Sequence, residues 1–192
     1  TLMTGHDPAP ALRLLILGTA ILPATVLAPF WLLPELGAAG DVLRAAGRLL
    51  GVIAVAGGLA FLIRGVLLRQ PAPETLRALD GVSAVAMAVV VVGLMSAVGP
   101  AIMGTPGIFF FWLAVACAAN LGLQIIAAVA LKNSWLRAGR VAYSIVAGNR
   151  NMALFLVALP ASVTNPLLLF IGCYQIPMYL TPILLRRFYK TA

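Results

Sequence analysis

The sequence predicts an all-α integral membrane protein, and three observations carry that reading. The 192 residues are 62% hydrophobic and only 9% charged, with a mean hydropathy of +1.07, too little polar surface to cover a water-soluble globule. About six apolar stretches approach the roughly 20 residues that a helix needs to cross a bilayer, and Pro, Gly or charge separates them. The loops between them also divide by charge, as those of multi-pass proteins do.

In chain order the stretches are Leu12 to Leu33, Leu49 to Leu68, Val82 to Val98, Ile108 to Leu131, Val141 to Leu159 and Leu167 to Leu185. Arg64 lies inside the second, close enough to its end to reach the headgroup layer while its aliphatic stem stays among apolar groups. Gln70 to Asp80, with Pro71, Pro73 and Glu74, is the longest polar connection and reads as a loop. Neither a linker nor a low-complexity tract divides the chain, so residues 1–192 read as a single membrane domain.

Charge fixes an orientation. One side carries Arg13, Arg69, Arg77, Lys132, Arg137, Arg140, Arg186, Arg187 and Lys190, together with Arg64, whereas the other carries only Arg44 and Arg48. Its remaining loops, Gly99 to Thr105 and Ala161 to Asn165, are uncharged. By the positive-inside rule the first side is cytoplasmic, which puts both ends of the chain there and agrees with an even number of crossings. Usage of Ala, Leu, Gly and Arg resembles that of bacterial inner-membrane proteins. The net charge of +8 does not point to nucleic acid, because the basic residues mark the ends of apolar segments instead of forming one face. The first residues, Thr1 to Pro10, are too polar and too short for a signal peptide, and a start at Thr1 reads as a fragment or a processed product.

Enzymatic chemistry finds no purchase. The spans hold no carboxylate pair, no Ser-His set and no metal cluster, and His6 has no second ligand nearby. Cys117 and Cys173 both fall in apolar segments, where a thiol behaves as a small hydrophobe. The chain reads as a non-enzyme without a cofactor.

Polar groups at membrane depth are the candidates for function. The strongest set is Gly148-Asn149-Arg150-Asn151, in the middle of the apolar run from Val141 to Pro160. An arginine near a bilayer midplane costs from about 3 to more than 10 kcal/mol, so it normally faces a cavity, a partner or a ligand. No Asp or Glu lies within any span to pair with it, and the guanidinium stays protonated. Its partner is therefore backbone carbonyls, water, another protein segment or an anionic substrate. The same four residues favour a helix break, which aims backbone groups at a substrate. Asn120 and Gln124, one helical turn apart, share a face of the fourth span, and Tyr174-Gln175 precedes Pro177 and Pro182 in the last. Thr19, Pro23, Thr25 and Pro29 form a weaker set in the first. The plainer reading of Asn120, Gln124 and Gln175 is hydrogen bonding between helices, worth about 1 kcal/mol each.

On these residues the chain resembles the bile acid:sodium symporter (BASS) family, in particular its C-terminal six helices, over Leu14 to about Tyr189. The family's penultimate helix is discontinuous and carries an acidic residue, any residue, Gly, any residue and Gln-Asn. The matching stretch here is Val146-Ala147-Gly148-Asn149-Arg150-Asn151: Gly148 and Asn151 agree, Val146 stands at the acidic position and Arg150 at the Gln position. Ala119-Asn120 stands where the family has His-Asn, and Tyr174-Gln175 corresponds to a pair in its tenth helix.

The resemblance implies helices five to ten of a ten-helix fold built from two inverted repeats, with a break near Gly148. The N-terminal repeat helices are then missing, or come from a longer protein or a second chain. It also implies secondary transport of a small organic anion, with membrane lipids as surroundings. Asn120, Gln124, Gly148, Asn149, Arg150, Asn151 and Gln175 are the expected substrate-binding residues. Family sodium coordination uses the acidic residue and the Gln, so Val146 and Arg150 leave that site unsupported. A guanidinium in place of sodium makes sodium-independent transport the expectation. A transporter half that has become a sensor, a scaffold or a nonfunctional fragment is the alternative.

Overall fold

The computed structural model describes residues 7, 9–32, 39–66, 68–69, 71–149 and 164–190. Every regular element among them is helical: α1 (Ala9–Leu32), α2 (Ala39–Val66), α3 (Pro73–Leu94), α4 (Val98–Gly104), α5 (Pro106–Ala130), α6 (Arg140–Gly148), α7 (Leu168–Leu184) and α8 (Arg186–Lys190). Short 3₁₀ turns at Arg137–Gly139 and Asn165–Leu167 lead into α6 and α7. Four runs among the described residues are long and apolar enough to span a membrane: Leu43–Val66, Pro73–Gly104, Pro106–Ala130 and Asn165–Leu184. The chain is an all-α, multi-pass membrane protein.

Helix starts follow local chemistry. The Asp7 carboxylate accepts a hydrogen bond from the Ala9 amide at 2.9 Å at the start of α1, satisfying one of the donors that a helix start leaves open. α3 and α5 both begin on proline, Pro73 and Pro106, whose missing N–H costs nothing in the first turn. Glu74 in the first turn of α3 complements the positive end of the helix dipole.

Two helices start well before their apolar runs. α2 begins at Ala39 and takes in Arg44 and Arg48, and α3 begins at Pro73 and takes in Glu74, Arg77 and Asp80, so part of the polar connection Gln70 to Asp80 is helical. Hydropathy marks where a helix enters lipid, whereas charged residues continue the same backbone into the aqueous layer. The stretch Gly99 to Thr105, expected as a loop, is mostly the helix α4, set off from α3 by a turn at 95–97. In the fifth stretch the described helix is α6 alone, and residues 150–163 lie outside the described residues.

The chain forms two compact units. Thr19–Gly93 with Ala153–Thr164 forms one; Thr1–Gly18, Leu94–Met152 and Asn165–Ala192 form the other. In the first unit, side chains along α2 and α3 such as Phe61, Val82, Val89 and Val92 are exposed. Such a surface would drive association in water and is at home against lipid. In the second unit α5 is central and packs on both α6 and α7. Val98, Ala101, Phe109, Ala116, Cys173 and Tyr174 form one core, and Ala128, Val141, Leu185 and Tyr189 form another at the opposite end of α5. Trp112, Phe170 and Tyr174 continue the first core through edge-on contacts with ring centroids 5.7 Å apart in each pair, the geometry that aromatic quadrupoles favour.

Candidate functional site

The second unit holds a buried polar cluster at the C-terminal end of α6. This helix stops at Gly148 because Asn149 leaves the helical region, with φ −85° and ψ 87°. Its amide still closes the last turn onto the Ile145 carbonyl at 2.9 Å. The carbonyl at such a helix end calls for donors other than the helix's own, above all in an apolar interior. Two side chains supply them: the Tyr174 hydroxyl donates to the Gly148 oxygen at 2.6 Å and Asn120 Nδ2 at 2.9 Å.

Glycine is required at this end. A Cβ on residue 148 would run into the backbone carbonyl oxygen of Asn120 and lie 2.5 Å from Gln124 Cγ. Helices α5 and α6 therefore touch backbone to backbone, the approach that small residues permit between membrane helices.

From Asn120 the network continues along α5 and across to α7 and α8. Asn120 Nδ2 also donates to Asn149 Oδ1 at 3.1 Å. Gln124 Nε2 donates to Asn120 Oδ1 at 2.8 Å and to Thr181 Oγ1 at 3.0 Å, and the Tyr189 hydroxyl donates to Gln124 Oε1 at 3.0 Å. The hydroxyls fix the amide orientations. Thr181 has one proton, and the Pro177 carbonyl at 2.9 Å is a better acceptor for it than Asn120 Oδ1 at 3.5 Å. Thr181 therefore accepts from Gln124, whose Oε1 is left for Tyr189. Asn120, Gln124 and Thr181 are each at most 1% exposed, and no buried side-chain nitrogen or oxygen among the described residues lacks a partner. Burial pushes the Tyr189 phenol above its ordinary range, since the charged form loses its hydration.

Of the residues expected from sequence, Asn120, Gln124, Gly148 and Asn149 come together here. Gln175 does not join them: it is buried, but its Nε2 donates to the Ile171 carbonyl of its own helix at 3.3 Å. The neighbouring Tyr174 joins the cluster instead, through its hydroxyl on the Gly148 carbonyl. Arg150 and Asn151 lie outside the described residues. Thr181 and Tyr189 are additional members. Thr181 had a legible signal, one helical turn beyond Pro177 and thus suited to cover a carbonyl in a proline-interrupted helix, whereas Tyr189 is hidden among charges past the end of the last span.

Two chemical properties follow. Asn149 is half-buried, and its Nδ2 donates to no other described residue. The end of α6 is the negative end of a helix dipole, which suits a cation such as the Arg150 guanidinium next in sequence and disfavours an anion unless that charge is present. The oxygens of Gly148, Asn120, Gln124 and Asn149 all accept hydrogen bonds within the cluster, so an ion there would displace donors already in place.

Comparison with protein-family models, with curated proteins and with solved structures gives no match for this chain.

Proposed function

We propose that this multi-pass membrane protein is a secondary carrier, or the C-terminal half of one, that moves a small organic anion across the membrane without a coupling sodium ion. The observation that carries the reading is the buried polar cluster at the end of α6, held by three other helices; the sequence sets that end inside the apolar run from Val141 to Pro160. Helix breaks at membrane depth are tolerated where they line a cavity or a substrate path. In this reading Arg150 supplies the positive charge and Asn149 Nδ2 a neutral donor to a carboxylate or sulfonate, a pairing in which charge-assisted hydrogen bonds give most of the affinity. Asn120, Gln124 and Gly148 hold the break in place. The resemblance to the bile acid:sodium symporter family supports the same assignment, with both termini on the cytoplasmic side and, in the family's manner, helices that complete the site from elsewhere.

The test is uptake of labelled organic anions by proteoliposomes carrying the full-length protein, with and without a sodium gradient, for wild type and Arg150→Ala. Uptake that ignores sodium and disappears in the variant is expected. Steep sodium dependence that persists in Arg150→Gln would overturn the reading.

One observation favours a second reading, a transporter-derived half serving as a sensor or scaffold. Every buried polar side-chain atom in the described cluster already has a partner, as packing glue requires. Well-folded protein that takes up none of the anions would move the assignment there.

A further inference from the structure

One end of the second unit gathers positive charge. Ala128 near the end of α5, Val141 at the start of α6, and Leu185 and Tyr189 around α8 share one core, so the loop 131–139 and α8 meet at the same end of the helices. That end carries Lys132, Arg137, Arg140, Arg186, Arg187 and Lys190, and the sequence has no Asp or Glu after Asp80. All six are exposed except Arg140, which is half-buried. Trp135, in the same loop, is 90% exposed, the placement of an indole that anchors at the membrane–water boundary. The span Asn165–Leu184 ends just before α8, which puts this basic turn at headgroup level.

We propose that this end is a binding surface for anionic phospholipid headgroups in the leaflet where α7 terminates. Positive charge at headgroup depth, next to an interfacial tryptophan and without an Asp or Glu side chain after Asp80, fits a phosphodiester attached to acyl chains better than a soluble anion. A juxtamembrane cluster of four to eight Lys and Arg has the size that recognises anionic lipid, each contributing about fivefold to affinity. The inference rests on membrane embedding alone and holds whether or not the chain carries a substrate. It also ties the surface to the interior, because Tyr189 lies in the basic turn while its hydroxyl holds Gln124.

Full-length protein in detergent is titrated with short-chain phosphatidylglycerol or phosphatidylcholine, and bound lipid is counted by native mass spectrometry. Wild type is expected to retain phosphatidylglycerol preferentially, with the preference falling as salt rises. The triple variant Arg137→Gln, Arg186→Gln, Lys190→Gln is expected to lose at least about tenfold of that affinity. Equal retention of the two lipids by wild type overturns the proposal without any substitution. So does an undiminished preference in the triple variant, glycerol phosphate binding as tightly as phosphatidylglycerol, or a short RNA oligonucleotide binding more tightly than the lipid.

Discussion

Asn120 on α5 and Tyr174 on α7 donate to one and the same oxygen, the Gly148 carbonyl at the end of α6, at 2.9 and 2.6 Å. Three helices, α5, α6 and α7, thus meet on one backbone group. The arrangement holds a helix end inside the apolar part of the protein without leaving the carbonyl bare.

Because either donor alone satisfies the carbonyl, the two are expected to be non-additive. Tyr174→Phe removes one hydrogen bond and is expected to cost about 0.6–1 kcal/mol, and Asn120→Ala, which also takes one partner each from Gln124 and Asn149, about 2 kcal/mol. The double variant is expected to exceed the sum by about 1 kcal/mol or more, since only then does the carbonyl lose both of these side-chain donors. Unfolding of the four proteins in detergent, closed as a thermodynamic cycle, measures the coupling; strict additivity would mean the two bonds do not share the load.

Two glycines with short hypothetical contacts should respond differently to alanine. At Gly148 the obstacle is the Asn120 backbone, which cannot turn aside, and Gly148→Ala is expected to destabilise by about 1–3 kcal/mol. At Gly172 the nearest atom is a side-chain methyl, Val98 Cγ2 at 2.6 Å, and the nearest backbone atom, the Leu94 oxygen, is farther off at 3.1 Å. Gly172→Ala is expected to cost less, helped by the better helix propensity of alanine. Thermal unfolding midpoints rank the pair.

Tyr189 makes stability depend on alkaline pH. Its folded-state pKa lies above the unfolded value of about 10 because burial disfavours the phenolate. The unfolded chain therefore releases the proton first as pH rises. The contribution is complete below about pH 10 and is lost progressively above it. Wild type is expected to lose stability from pH 10 upward, whereas Tyr189→Phe starts lower at neutral pH and declines less. Chemical unfolding at pH 8 and near pH 11 decides it, and identical alkaline slopes would contradict the buried-donor assignment.

Much of this was readable in the sequence because hydropathy and charge act residue by residue. Apolar runs locate the four spans found among the described residues, and Asn120 and Gln124 one turn apart locate the polar face of α5. The Gly-Asn-Arg-Asn run locates the end of α6 at Gly148. Helix ends outside lipid were not legible, because Arg44, Arg48 and Arg77 continue a helix as readily as they end a hydrophobic run. The choice between Tyr174 and Gln175 was not legible either, since adjacent residues on a helix point about 100° apart and only packing decides which one faces Gly148. Tyr189 escaped because its partner is fixed by how α8 folds back onto α5 and α6, a tertiary fact.

Asn149 separates a substrate site from packing most directly. Among the described residues it accepts one side-chain hydrogen bond, from Asn120, which keeps its stronger bond to Gly148, so Asn149→Ala is expected to cost stability no more than about 1 kcal/mol. The decisive measurement is the initial rate of organic-anion uptake by proteoliposomes of wild type and Asn149→Ala at matched amounts of folded protein. Wild type is expected to show sodium-independent uptake and the variant a loss of at least about tenfold, the size of one missing charge-assisted hydrogen bond to a substrate. Equal uptake by the two proteins would contradict the claim that the end of α6 touches the substrate.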